Sequence, residues 1–542
     1  MKMKSLLLMV GLTSLVMINF AGLNAKTIYF VKVNGIGNGT SWNNAAGNIQ
    51  DMINKAIAGD EIWVAAGTYC PTTQTNSNDI CSKKFLMKDG VNLYGGFVGN
   101  ETSIDNRAKS DKDSNGKVEA WEFTNETVFS GQLSDTENST IVVFIGLWYD
   151  YPMIFKSETQ FDGFTVKDGA QGICAYGHLI TINNCIICDN NKTDGSNSGY
   201  WGGIEVSYGT VSNCKITNNL AYLVTDGRSL SSSSVTGGGI YNDEGTVSNC
   251  IITNNICKIY DILNNQSGKL LYMSANGGGI YNYRGSISNC IIAGNSCVAD
   301  RKFNNTTVAK GGGIYNDAGT VSNCCIINND INANDHKDIE DGGGVYNSGG
   351  SAYMAYIYNS TIVNNTTENF YTNNMGWDFI YNSISTNTNL TQNFFHPTSF
   401  IGNATNDAQR TELLQANWRL KQGSQYIDAG SFTNLPDWII NGTDLAGNTR
   451  TTNGKISVGA YEFDPTYTGI PSVSAGVKAY ISGNILYIDS PASEIIRLYS
   501  VSGSLLYNAK NPAGEVAIPL NGIQDKVLII RGGSGWIKKA VK

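Results

Sequence analysis

The residues best placed to do chemistry form one dense stretch, Asp111-Lys112-Asp113-Ser114-Asn115-Gly116-Lys117-Val118-Glu119-Ala120-Trp121-Glu122. Oxygen donors fall at positions 1, 3, 5, 9 and 12 of this stretch, with glycine at position 6 for a sharp turn. A hard cation such as Ca2+ takes six to eight oxygen ligands. Asp111, Asp113, Asn115, the Lys117 carbonyl, Glu119 and a bidentate Glu122 would supply them in a structural site. The alternative is a polar surface insertion. A second constellation is Asp243, Arg284 and Asp317, which occupy equivalent or adjacent positions in copies of a repeat. Stacked in register, the two aspartates would lie two strands apart, on the order of 9–10 Å, close to the carboxylate separation of an inverting glycosidase. An acid and an arginine on one face also suit abstraction of a proton beside a neutralised uronate. The competing reading is an ordinary polar turn. His178, His336 and His396 are scattered, and no Ser/His/Asp arrangement is legible.

The element that must position these groups is Gly237-Gly238-Gly239-Ile240-Tyr241-Asn242, followed by Thr246-Val247-Ser248-Asn249-Cys250. The frame returns at Gly277–Asn282 with Cys290 and at Gly311–Asn316 with Cys324. A fainter copy, Gly202-Gly203-Ile204 with Cys214, precedes it, and a stretched one, Gly342–Asn347 with Ser360 in the cysteine slot, follows. Starts at 237, 277, 311 and 342 are 40, 34 and 31 residues apart, a period that means stacked supersecondary units. The expected fold is all-β, a right-handed parallel β-helix. Ile240, Ile280, Ile314 and Val345 should form one inward stack. Cys185, Cys214, Cys250, Cys290 and Cys324, each with isoleucine two residues on, should form another. Asn249, Asn289 and Asn323 suit left-handed turns and an amide ladder. The segments between frames vary in length, so they should bulge from one place as a loop-rich flank, where binding would be expected. Tyr200, Trp201, Tyr222, Tyr260, Tyr272, Tyr371 and Trp377 lie in or near them, either as sugar platforms or as pins for the loops.

Charged residues make up 15% of the 542, and the net charge is −8, which argues against nucleic acid as a partner. Residues 1–25 read as a signal peptide, with a basic start, an apolar run to Phe20 and small residues before Lys26; a membrane anchor is the alternative. No other stretch is long and apolar enough to span a bilayer, so no transmembrane helix is expected after signal removal. In an exported chain the twelve cysteines invite disulfides. Cys70–Cys81 and Cys257–Cys297 are the candidate pairs, beside a ladder of buried thiols.

The frame and its Ile-x-Asn-Asn tail resemble the repeats of polymorphic outer-membrane proteins and related bacterial β-helix proteins. Trp418-Arg419-Leu420, Ile427-Asp428-Ala429-Gly430, Asp444–Arg450 and Val458–Glu462 are similar to the closing segment of β-helix proteins with a choice-of-anchor Q domain. Residues 26–464 would then be solenoid with an N-terminal cap, and 465–476 a linker. The alternating runs of 477–542 read as a small antiparallel β-sandwich and resemble a type IX secretion sorting domain, which implies export and possible surface anchoring through that domain. The Asp111–Glu122 spacing is similar to an EF-hand calcium loop, without a clear pair of flanking helices. The first functional reading is a secreted or cell-surface protein in adhesion or glycan binding, without catalysis. The second is a polysaccharide lyase or glycoside hydrolase on the same scaffold, because one fold hosts both.

Overall fold

The computed structural model describes residues 26–112, 117–146, 157–191, 201–225, 233–261, 272–300, 306–333, 339–350, 353–372, 378–386, 418–467 and most of 478–541. The signal-like stretch 1–25 and most of the linker lie outside them. The repeat winds into a parallel β-helix with three long sheets of eleven, ten and ten strands. One coil runs through Thr246–Ser248 in the first sheet, Ile251–Thr253 in the second and Ile280–Tyr283 in the third. The next coil pairs with it residue for residue: Thr246 with Ser286, Ile251 with Ile291, Ile280 with Ile314. At one end, the Asn48 side chain caps the short helix Ile49–Lys55, whose Ile49, Met52 and Ile53 belong to the main core.

Strand alternation sends every second side chain inward. Ile240, Ile280, Ile314 and Val345 are fully buried in one stack. The cysteine–isoleucine pairs line the same core, and Ser360 takes the cysteine slot, accepting from the Cys324 amide at 3.2 Å. All twelve cysteines are thiols. Cys257 and Cys297 do face each other in register on neighbouring coils, but they act as small apolar residues in a core, and the Cys70–Cys81 bridge is likewise not formed.

The corners are left-handed, as expected, with φ near +53° at Asn249, Asn289 and Asn323. The amide ladders, however, run at other positions. Asn219, Asn255, Asn295 and Asn329 each donate both a backbone N–H and a side-chain Nδ2 to the Oδ1 of the next coil's asparagine, at 2.9–3.0 Å. A second ladder links Asn242, Asn282, Asn316 and Asn347 at 2.7 Å. Both are buried, where an unpaired amide would be costly; the asparagines at 249 and 289 contribute backbone conformation at the corners, and buried Asn323 bonds to the closing segment instead of to a ladder. The first glycine of each triplet has φ between +63° and +73°. The second lies so close to the next coil that a Cβ at Gly238 would meet the Gly278 carbonyl oxygen at 2.3 Å.

The segments between frames do leave the helix at one place on each coil, but the expected loop-rich flank is a folded wing. Its strands Leu220–Thr225, Ile256–Asp261, Ser296–Asp300 and Asp330–Ala333 form one parallel sheet, and Ser233–Thr236, Tyr272–Asn276, Thr306–Lys310 and Ile339–Asp341 a second. Cys257, Ile259, Met273, Ala275, Cys297 and Ala299 give the wing its own core. The wing forms because apolar residues alternate in these segments at matching offsets, so stacking buries them.

After the last coil, residues 418–467 run back over the second sheet. Trp418, Leu420, Ala460 and Tyr461 pack on Ile251, Ile291, Cys325, Ile327 and Val363. Arg450, fully buried, pairs with Glu462 at 2.9 Å and donates to Asn323 Oδ1 at 2.7 Å and the Gly459 carbonyl at 2.8 Å. Asp444 closes the turn before it by accepting from the Ala446, Asn448 and Glu462 amides. This segment is a lid on the solenoid's side. The C-terminal part comprises a three-stranded and a four-stranded antiparallel sheet, whose Leu486, Ile488, Ile496, Leu498, Ile518 and Ile530 share one core.

Candidate functional site

The outer face of the third sheet carries two rows of side chains, one residue per coil. Register places Cys174, Glu205, Tyr241, Tyr281, Tyr315, Tyr346 and Tyr371 in the first row. The five tyrosines stack on one another with ring centroids 4.8–5.3 Å apart and planes within 28°. Their faces are therefore covered by each other, and the row offers ring edges and hydroxyls. The second row is Tyr176, Ser207, Asp243, Tyr283, Asp317 and Ser348. Tyr281 donates to Asp317 at 3.2 Å and Ser207 to Asp243 at 3.3 Å. The wing borders this face: Lys310, last residue of its strand, donates to the Tyr346 hydroxyl at 3.1 Å.

Asp243 and Asp317 stand in register with Tyr283 between them, two strands apart. Burial raises both carboxyls, and Arg284 counters this at each. Arg284 itself, on the adjoining left-handed corner, sits 3.7 Å from Glu244 and lies over the Tyr353 ring at 3.7 Å. The structure thus gathers these three candidates on one edge of the third sheet.

Glu205 is the site residue that the repeat reading passed over. It is 8% exposed beside a cluster that includes Phe144, Cys174, Trp201, Tyr176 and Tyr241. The Cys174 thiol donates to it at 3.5 Å, and a hydrogen bond from Tyr176 favours its charged form. Burial outweighs both and, with a smaller push from Asp243, lifts its carboxyl to about 7. The signal was in the sequence: the faint copy reads Gly202-Gly203-Ile204-Glu205, with glutamate in the slot that the other copies give to tyrosine.

In the calcium-like stretch, Asp113 and Asn115 lie outside the described residues. Glu119 and Glu122 are buried, and Glu122 accepts from the Lys112 amide at 3.1 Å and the Glu119 amide at 2.9 Å. Those bonds close the turn and occupy one acceptor site on each Glu122 oxygen. A polar cavity of about 430 Å3 near Trp63, Tyr94 and Gln160 is braced from within. There Arg107 pairs with Asp162 at 2.6 Å and Tyr94 donates to Gln160 at 3.2 Å. His178 stacks on Tyr208, while His336 and His396 lie outside the described residues, as do Tyr200 and Trp377. Trp201 is buried rather than a platform; Tyr222 and Tyr260 belong to the wing. No described helix is long and apolar enough to cross a membrane.

No family model matches the chain, and no curated protein does. Among solved structures it is similar to the pectate lyase Pel9A, at 18% identity over 82% of this chain and 98% of that one, with a TM-score of 0.42. It is also similar to a pectin methylesterase mutant in complex with a hexasaccharide, at 13% identity over 57% of this chain and 81% of that one, with a TM-score of 0.26.

Proposed function

We propose that this protein is an exported, surface-associated β-helix that holds an extended polysaccharide along the outer face of its third sheet. The observation that carries the reading is the row of five stacked tyrosines flanked by Asp243, Asp317 and Lys310. Each coil repeats the same hydroxyl-bearing edge at 4.8–5.3 Å intervals, so a polymer laid along the axis meets a donor or acceptor at every step. Hydroxyls and carboxylates recognise sugar hydroxyls by hydrogen bonds, since the stacked rings leave no open face for a sugar. The N-terminal signal-like stretch and the sorting-domain resemblance of 477–542 support export; the same resemblance supports attachment through the C-terminal sheets.

A second reading, cleavage of the bound chain, is favoured by the three carboxylates Glu205, Asp243 and Asp317 on one face. Affinity electrophoresis against soluble xylan, mixed-linkage β-glucan and polygalacturonate tests the binding claim. Retardation by at least one polymer, lost in a Tyr281→Ala/Tyr315→Ala variant that remains folded, is expected. Equal mobility of variant and parent in every gel would refute it.

A further inference from the structure

We propose that Glu205 and Asp243 form an acid–base pair that hydrolyses a glycosidic bond of the polysaccharide held on the third sheet, an inference that rests on the reading of that face as the binding surface. Glu205 is paired in register with Tyr241, and Asp243 lies two residues further along the same strand, on the same outward side. The two carboxyls are thus diagonal neighbours on adjacent coils, and each is placed where a chain following the tyrosine row would pass.

Their surroundings differ in the way an acid and a base require. Glu205 is buried between Cys174 and Tyr241, its register partners on the two neighbouring coils, with the Cys174 thiol on one oxygen and a further hydrogen bond from Tyr176. Asp243 is half-buried, takes one bond from Ser207 and has Arg284 nearby. Two carboxylic acids whose environments separate their protonation states divide into donor and acceptor. Burial holds a proton on much of the Glu205 population at neutral pH; burial also raises the less enclosed Asp243, but there the serine bond and Arg284 pull back toward the charged form. Trp201 Nε1, buried in the same cluster, has no acceptor among the described residues; a sugar oxygen would supply one. Charged groups near the pair include Lys84, which acts on the Cys174 thiol beside Glu205, and Glu244, which pushes the Asp243 carboxyl up.

In the reaction, Glu205 gives its proton to the glycosidic oxygen as the bond from that oxygen to the anomeric carbon breaks. A water adds its oxygen to the carbon and passes its proton to Asp243. Proton exchange through solvent returns Asp243 to carboxylate and Glu205 to acid, and one water is consumed per bond.

The test incubates the full chain with soluble xylan, mixed-linkage β-glucan and polygalacturonate, and measures reducing ends and binding side by side. New reducing ends are expected with at least one polymer. Their rate should fall about a hundredfold or more in both Glu205→Gln and Asp243→Asn, while Glu205→Gln keeps its affinity-gel retardation within about threefold of the parent. The rate should also decline as pH rises through about 7, where Glu205 loses its proton. Retardation without reducing ends would overturn the hydrolysis and leave the binding surface standing. Unsaturated products would replace hydrolysis by elimination and overturn it too. No retardation and no product with any polymer would remove both the hydrolysis and the binding reading.

Discussion

Replacing Glu205 by glutamine should change how stability depends on pH. The carboxyl lies at about 7 in the folded protein against an ordinary 4.5, chiefly through burial. At about 1.4 kcal/mol per pH unit, the folded state prefers the protonated acid by about 3 kcal/mol. A carboxyl raised on folding adds stability at low pH and withdraws it at high pH. The contribution is fully present below about pH 4.5, fades as pH rises, and is gone just above 7. Glutamine keeps the shape and cannot ionise. Guanidinium unfolding of parent and Glu205→Gln, followed by tryptophan fluorescence at several values from about pH 4.5 to about pH 8, reads the difference. A stacked array can unfold in stages, so the comparison is between the two proteins at each pH. The parent should lose about 3 kcal/mol relative to the variant across that range. A difference that stays constant, or that moves in the parent's favour as pH rises, would refute the burial argument and with it the proton-donor assignment.

Asn295→Ala should destabilise the helix by about 1–3 kcal/mol, since it leaves the buried Asn255 backbone N–H without its acceptor and removes the side-chain donor to the Ile252 carbonyl; Asn289→Ala, outside the ladders, should cost little beyond its corner conformation. Denaturant midpoints compare the two. Arg450→Ala leaves Glu462 without its buried partner and frees the Asn323 contact, which should cost about 3–5 kcal/mol and expose 418–467 to limited proteolysis before the coils are cut. Calcium titration by calorimetry of the chain and of Asp111→Ala tests the remaining cation proposal. Saturable binding lost in the variant is expected if the stretch is a structural calcium loop, and no heat of binding would leave Glu122 as a turn-closing residue only.

The helix itself was legible because its period is written in residues that have one use each: Ile240 and its equivalents can only point inward, and Gly237 can only turn left-handed. The register that brings Asp243 and Asp317 onto one face followed from the same period. The ladder was assigned to Asn249 instead of Asn255 because both asparagines recur at fixed offsets, and only the path of the chain around the corner decides which amide is buried. The wing was hidden because its strands differ in length between copies and are joined by segments of unequal composition. Glu205 escaped attention for the opposite reason to the glycines. It lies in the weakest copy, and a repeat reading seeks agreement between copies, whereas the chemistry stands where one copy departs from the rest. Asp444 and Arg450, prominent in the closing segment, prove to be a turn and a buried staple.

The measurement that bears most directly on the account is hydroxyl-radical footprinting of the full chain with and without a bound polysaccharide from the affinity-gel panel. Protection should concentrate on the peptides carrying Tyr241, Tyr281 and Tyr315, and leave Tyr29 and the 478–541 strands unchanged. Protection centred on the Trp63–Tyr94 cavity or on the wing, with the tyrosine row as reactive as before, would contradict the claim that the third sheet is the binding face.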